Sequence, residues 1–420
     1  MATLKGRGIF TGPILILGFS ESVSGMGNWI TMMAVLALVV FRGDGGVLES
    51  GAIMMAGLLP VLLGSPLSGW LCDRYDRRKL MIASELLQAL LVSVLIFTTS
   101  VGVVYPIVAL EALAGSIMMP ARRSVVPSLV SAQSLSRVNA FFQQLSGTIK
   151  IAAPLLAGGL LAIMNPHTAI IFDVASFLLS ALLLSRLPEL QPNGVPGSTK
   201  PGSKPERVDR TLRSLVSGSV GLRLIFVTVF LGIFVIVGFD VLASVFVRDS
   251  LHSGEGVFGL LVSLIGIGTV GSSILIMAGK RERDPWRDIV TGILLLSAIP
   301  LAFGISSFVP AGPVRTLVAI AGCLLGGAGS GLLNVQAGTL LQLLTPATML
   351  GRTAGAFQTT ATAGQLLGVL LTPALIPGVL SMTGYFIAAF VALSILVLWV
   401  LYNLRAVRAS ARARTEVAVG

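Results

Sequence analysis

Six ionisable side chains lie within long apolar stretches of this 420-residue sequence. They are Glu21, Glu85, Glu111, Lys150, Asp173 and Asp240. A charge near the middle of a membrane-spanning helix costs about 2.5–3.5 kcal/mol on insertion scales, so each of these residues needs a reason to be there. A carboxyl group at such a depth can take up and release a proton. The chemistry that these residues offer is therefore proton transfer coupled to another process.

Further polar side chains recur at helical spacing in the same stretches. Glu21, Gly25 and Asn28 stand four and then three positions apart, which places them on one face of a helix. Three other stripes follow the same rule: Gln143, Gly147, Lys150 and Pro154; Asn334, Gly338 and Gln342; Gln358, Thr362 and Gln365. A polar stripe can line a cavity or hydrogen-bond one helix to another. Both interpretations stay open for these residues.

The composition is that of a chain that lies mostly in lipid. Hydrophobic residues make up 54% and charged residues 11%, whereas about a quarter of an average soluble protein is charged. We count twelve apolar segments, each long enough to span a bilayer at about 20 residues per helix. Their approximate limits are 12–41, 50–72, 79–100, 103–123, 138–164, 167–187, 219–247, 255–279, 287–309, 314–344, 350–377 and 380–404.

The distribution of basic residues predicts the orientation. Most of them lie in the loops that alternate with the apolar segments on one side, and the other side holds only Arg42, Arg248 and Arg315. Cytoplasmic loops are enriched in Lys and Arg, so both termini are predicted to be cytoplasmic in a multi-pass protein of the cell membrane. Because the net charge of +11 is confined to short loops, it does not indicate a nucleic acid partner.

The most charged of these loops begins at Gly69 and ends at Lys79, and its last seven residues hold six charges. The string Gly-Trp-Leu-Cys-Asp-Arg-Tyr-Asp-Arg-Arg resembles the loop motif of the major facilitator superfamily, Gly-x-Leu-x-Asp-Arg-x-Gly-Arg-Arg/Lys, with Asp76 at the second glycine. Residues 119–130 and 169–177 resemble helices 4 and 6 of bacterial macrolide-efflux and siderophore exporters. Residues 153–159 are similar to the antiporter motif of drug exporters, with Ala153 at a usual glycine.

An internal repeat supports the resemblance. A shift of 215 positions superimposes Leu129, Leu135, Arg137, Phe142 and Gln143 on identical residue types in the second half. The Pro- and Gly-rich stretch 188–218 reads as a cytoplasmic linker between the halves. We therefore expect a six-helix bundle over 1–187, a second over 219–404, and a basic cytoplasmic tail over 405–420.

The resemblance implies an all-α membrane protein with twelve transmembrane helices in two pseudo-symmetric bundles. Glu21, Glu111 and Asp240 then become the proton-coupling candidates, in that order. The substrate-cavity candidates are Glu21, Asn28, Lys150, Asn334, Gln358 and Gln365. The candidates for the inner gate are Gly69, Asp73, Arg74, Arg77, Arg78 and Arg122. Glu85 and Asp173 are read as structural partners, and Glu21 as the partner of Lys150.

The implied function is secondary active export of an amphipathic drug, antibiotic or secondary metabolite, by proton antiport and alternating access, in a monomer. A facilitator or importer of a small solute and a siderophore exporter are alternatives on the same fold. A receptor or scaffold would not need polar stripes. An enzyme is not expected, since His167 and His252 are the only histidines and no nucleophile motif occurs. Cys72 and Cys323 are far apart, and neither a metal nor a cofactor is predicted.

Overall fold

The computed structural model describes residues 11–98, 100–130, 132–188, 216–278, 284–310, 312–345, 349–376 and 379–419. These ranges contain helices and short connections, and no strand. The all-α membrane fold expected from the sequence is thereby confirmed. The chain forms two compact units, and most of the linker 188–218 lies outside the described residues.

The first unit holds the described residues up to 188, together with 247–249 and 253–263. A π-helical turn, Ala37–Phe41, continues its first helix. Its helices are α1 (Gly12–Leu36), α2 (Val47–Arg74), α3 (Arg77–Val94), α4 (Val101–Gly115), α5 (Met118–Leu129), α6 (Ala132–Ile163) and α7 (Pro166–Leu184).

The second unit holds most of the remaining described residues. The helices of this half of the chain are α8 (Val220–Asp249), α9 (Glu255–Ala278), α10 (Pro285–Leu296), α11 (Ala298–Ser306), α12 (Pro313–Leu344), α13 (Leu350–Leu375) and α14 (Met382–Val419).

Short side chains start several of these helices. Asp76 caps α3, where its carboxylate accepts a hydrogen bond from the backbone N–H of Lys79 at 3.0 Å. Asn165 caps α7 in the same way, and Pro166 occupies the first helical position, where no N–H is needed. The charged loop is therefore shorter than its composition suggests, since only residues 75 and 76 separate α2 from α3.

Two predicted spans are each divided into two helices. The span 103–123 breaks between α4 and α5, and the span 287–309 breaks between α10 and α11. Pro120 and Pro300 follow these breaks and have no N–H to donate, which leaves the carbonyls of Ser116 and Leu296 without their usual helical partners.

Ten helical stretches in the described residues are long and apolar enough to cross a membrane. The helices α3 and α13 are not among them, and α3 carries four charged residues within 18. The count of twelve membrane helices therefore stays a prediction.

Close packing within the first unit brings its polar residues together. Helix α1 packs against α6 and α7, and α7 also packs against α3. At Gly27 on α1, a methyl group would overlap the side chains of Asp173 and Ser176 on α7. Glycine at this position allows a carboxyl group to lie directly against the α1 backbone.

Candidate functional site

The first unit contains an ion pair between α1 and α5. Arg122 Nη1 donates to both carboxylate oxygens of Glu21, at 2.7 Å to Oε1 and 2.5 Å to Oε2. The hydroxyl of Ser146 on α6 lies 3.5 Å from Oε1. Three helices therefore meet at one carboxylate, and a change in its charge would act on all three.

The surroundings of Arg122 hold its guanidinium in place. The side chains of Arg122 and Glu21 are only 16% and 22% exposed. The guanidinium carbon lies 4.7 Å from the ring centroid of Phe142, within the range of a cation–π contact. A planar guanidinium can contact a ring face while donating hydrogen bonds from its edge, which an ammonium group does not match.

The pairing of Lys150 with Glu21 that the sequence suggested is wrong in this structure. Both oxygens of Glu21 are bonded to Arg122, and Lys150 is exposed on α6. Arg122 forms its described ion pair with a carboxylate of α1, and its place in the inner gate stays a prediction.

A cavity of about 680 Å³ lies in the same unit as this ion pair, and neither Glu21 nor Arg122 lines it. Its polar lining includes Asn28, Gln88 and Glu111, and its apolar lining includes Met32 and Val108. Asn28 and Glu111, both singled out from the sequence, therefore share one cavity. A volume of several hundred Å³ with mainly apolar walls suits a small amphipathic molecule.

Two more carboxyl groups lie deeper in the unit, at the junction of α1, α3 and α7. Glu85 is 1% exposed and Asp173 is 0% exposed. The Ser176 hydroxyl donates to Asp173 Oδ1 at 3.0 Å, and the Ser20 and Ser180 hydroxyls are 2.7 Å apart. Sequence reasoning treated this pair as packing residues, because spans 3 and 6 are peripheral in the fold that the resemblance implied.

The candidates of the second unit are dispersed. Asp240 is half-buried on α8 and interacts electrostatically with Cys323 on α12. Asn334 is exposed and lies 3.4 Å from the hydroxyl of Ser330. Gln358 is exposed on α13, and Gln365 is half-buried. The described contacts do not bring these four residues into one cluster.

Sequence reasoning missed a polar contact in this unit. The amide of Gln336 donates to Asp288 Oδ2 at 2.7 Å, although 48 residues separate them. Asp288 stands at the end of an apolar segment, where a carboxylate is common and does not by itself indicate a buried contact. The described residues contain no group of three or more His, Cys, Asp or Glu side chains placed to bind a metal ion.

The residues predicted for the inner gate lie at the α2–α3 connection and on α5. Arg78 donates to the carbonyl of Ser185 just after α7, where the negative end of the helix dipole favours a cation. Arg74 lies 5.3 Å from the centroid of Trp70, and Arg77 is buried. Gly69 is in the last turns of α2. The side chain of Asp73 lies outside the described residues, so its role as a latch stays a prediction.

The helices, the buried carboxyl groups and the cavity together indicate a class of protein. The described residues contain ten apolar helical stretches long enough to span a bilayer, buried carboxyl groups and a solute-sized cavity lined by Glu111, which are the features of a membrane transporter.

The chain belongs to the Major Facilitator Superfamily, whose family model matches residues 17–369. The family and the fold are those of transporters. The MFS-type transporter YfiS of Bacillus subtilis is 25% identical to this chain, with 85% of each chain covered. The multidrug efflux pump Tap of Mycolicibacterium fortuitum is 28% identical over 44% of this chain and 47% of its own length. Macrolide efflux protein A of Streptococcus pyogenes is 26% identical over 40% of this chain and 44% of its own length.

Solved structures agree on the fold. A POT family transporter in complex with 5-aminolevulinic acid aligns with a TM-score of 0.71 and 13% identity, over 94% of this chain and 96% of the other. A bacterial homologue of the iron transporter ferroportin aligns with a TM-score of 0.66 and 17% identity, over 93% and 98%. The resemblance to this superfamily that the sequence suggested is confirmed.

Proposed function

We propose that this protein exports an amphipathic small molecule, such as a drug, antibiotic or secondary metabolite, in exchange for protons. The observation that carries the proposal is the mainly apolar cavity of the first unit, whose polar groups include Asn28, Gln88 and Glu111. Similarity to macrolide and multidrug efflux proteins supports the direction of transport.

The ion pair supplies a mechanism for proton coupling. A proton and Arg122 compete for the same carboxylate of Glu21, because protonation removes the charge that the guanidinium binds. When Glu21 takes up a proton, the contact between α1 and α5 weakens and Arg122 is left without its counter-ion. We infer that this exchange of partners changes the relation between the helices during alternating access.

Glu111 is the second candidate for this role, because it lines the cavity and would respond directly to a bound molecule. Asp240 is the third. In this scheme the transported molecule favours the ionised carboxylate, and a proton entering from the acidic outer side displaces it.

Direction of transport is tested with a radiolabelled macrolide and membrane vesicles of both orientations. An exporter accumulates the macrolide in everted vesicles when the lumen is acidified, and a protonophore abolishes the accumulation. Vesicles without the protein are the control. Accumulation confined to right-side-out vesicles would establish an importer instead, and accumulation that ignores the protonophore would remove proton coupling.

A further inference from the structure

Glu85 and Asp173 form a pair of buried carboxyl groups that the export scheme does not use. Both side chains are almost completely removed from solvent, and the charges of the two carboxyls interact. Among the described residues no salt bridge reaches either of them, in contrast to Glu21. Two carboxylates without a counter-ion would be strongly unfavourable at this depth, so the pair must be neutralised, either by protons or by a bound cation.

Hydroxyl groups surround the pair. Ser24 and Ser180 face the carboxyl of Glu85, and Ser176 donates to Asp173 Oδ1 at 3.0 Å. The Thr31 side chain approaches Asp173 from α1. Every described polar contact of the two carboxyls is therefore with an oxygen-bearing group.

Three buried oxygens at this junction remain without a hydrogen-bond partner. They are Glu85 Oε2, Asp173 Oδ2 and Thr31 Oγ1, and the residues that carry them are at most 5% exposed. An unsatisfied buried polar group costs about 1–3 kcal/mol, and a charged one costs more. A proton shared by the two carboxyl groups could satisfy one oxygen of each and would leave the third oxygen without a partner. A single metal cation accepts lone pairs from several oxygens together.

We propose that Glu85, Asp173 and Thr31 bind a hard metal cation at the junction of α1, α3 and α7. The available ligands are carboxylate and hydroxyl oxygens, without nitrogen or sulfur, which favours Ca²⁺ or Na⁺ over transition metals. Two carboxylates balance one Ca²⁺, whereas Na⁺ requires that one of them be protonated. A bound cation would link three helices through one centre.

The cavity borders the proposed site. Thr31 faces Asp173 and also lines the cavity. Gln88, which lies one turn beyond Glu85 on α3, lines the cavity as well. Gly27 leaves the space that the Asp173 carboxyl occupies. Two polar side chains of the cavity wall therefore lie next to the proposed site, on the side from which an ion could enter.

Binding of ⁴⁵Ca²⁺ and of ²²Na⁺ to the purified full-length protein in detergent tests the proposal. No transported molecule is needed, so the result is independent of the proposed export function. We expect saturable binding of at least one of the two ions, weakened at least tenfold in Glu85→Gln and in Asp173→Asn. Asp249→Asn, which removes an exposed carboxylate on α8, should bind the ion as the parent does.

Thr31→Val keeps the test decisive if the carboxamide variants fail to fold. It preserves the shape of the side chain and removes one ligand, so the affinity should fall several-fold while the protein still elutes as a single species in gel filtration. The proposal is overturned if neither ion binds saturably to the parent. It is also overturned if the variants that fold bind the ion with parental affinity.

Discussion

Removing either partner of the Glu21–Arg122 ion pair should destabilise the first unit, and removing both should cost less than the sum. A hydrogen bond to a charged group contributes about 1.5–3 kcal/mol, and breaking a fully buried pair costs about 3–5 kcal/mol. The two contacts are 2.5 and 2.7 Å long, and the side chains keep about a fifth of their exposure. We therefore expect Glu21→Gln and Arg122→Gln each to lower the free energy of unfolding by about 2–3 kcal/mol.

A double-mutant cycle measures the interaction itself. Unfolding is followed by circular dichroism in mixed micelles of increasing dodecyl sulfate content, for the parent, both single variants and the double variant. We expect a coupling energy of about 2 kcal/mol, because two amides can hydrogen-bond without leaving an unpaired charge. The exposed pair of Arg248 and Asp249 is the control, and its coupling should be below about 1 kcal/mol. Additive effects within about 0.5 kcal/mol at Glu21 and Arg122 would refute the reasoning.

Three further predictions follow from local geometry. Gly27→Ala should lower the free energy of unfolding of the purified protein by about 1–3 kcal/mol, because the new methyl group overlaps Asp173. Gly57→Ala, whose methyl group meets nothing within 4 Å, should leave it unchanged. Equal stability of the two variants would contradict this packing. Asp76→Ala should lower the free energy of unfolding by about 1 kcal/mol through loss of the α3 cap, and Asp76→Gly should lower it by only a few tenths of a kcal/mol, as measured by chemical unfolding. The reverse order would rule out capping as the cause. Asp73→Asn should impair macrolide transport in vesicles while membrane insertion, checked by immunoblot, is unchanged; parental transport would remove its role as a latch.

The helices could be predicted from the sequence because apolar runs of about 20 residues have few alternatives in lipid. The breaks beside Pro120 and Pro300 could not be placed, since a proline within a membrane helix can kink, divide or merely bend it. The start of α3 at Asp76 could not be predicted either, because the run of charges around this residue indicates a longer loop.

The contacts of the site were less predictable than its members. Glu21 was found from its depth and its helical face, but its partner lies 101 residues away on another helix. Lys150 and Arg122 were both reasonable partners on charge alone, and only the relative positions of α5 and α6 decide between them. Glu85 and Asp173 were found as well, yet their unpartnered oxygens are a property of three-dimensional packing that no spacing rule reports.

Substrate-induced proton release from the purified protein in detergent tests most directly whether Glu21 couples protons to export. Addition of a macrolide to the weakly buffered parent should release protons, as reported by a pH-sensitive dye. Glu21→Gln should bind the macrolide without releasing protons, and Lys150→Gln, which alters an exposed residue on α6, should release them as the parent does. Proton release retained in Glu21→Gln would contradict the account, and its loss in Glu111→Gln instead would transfer the coupling role to α4.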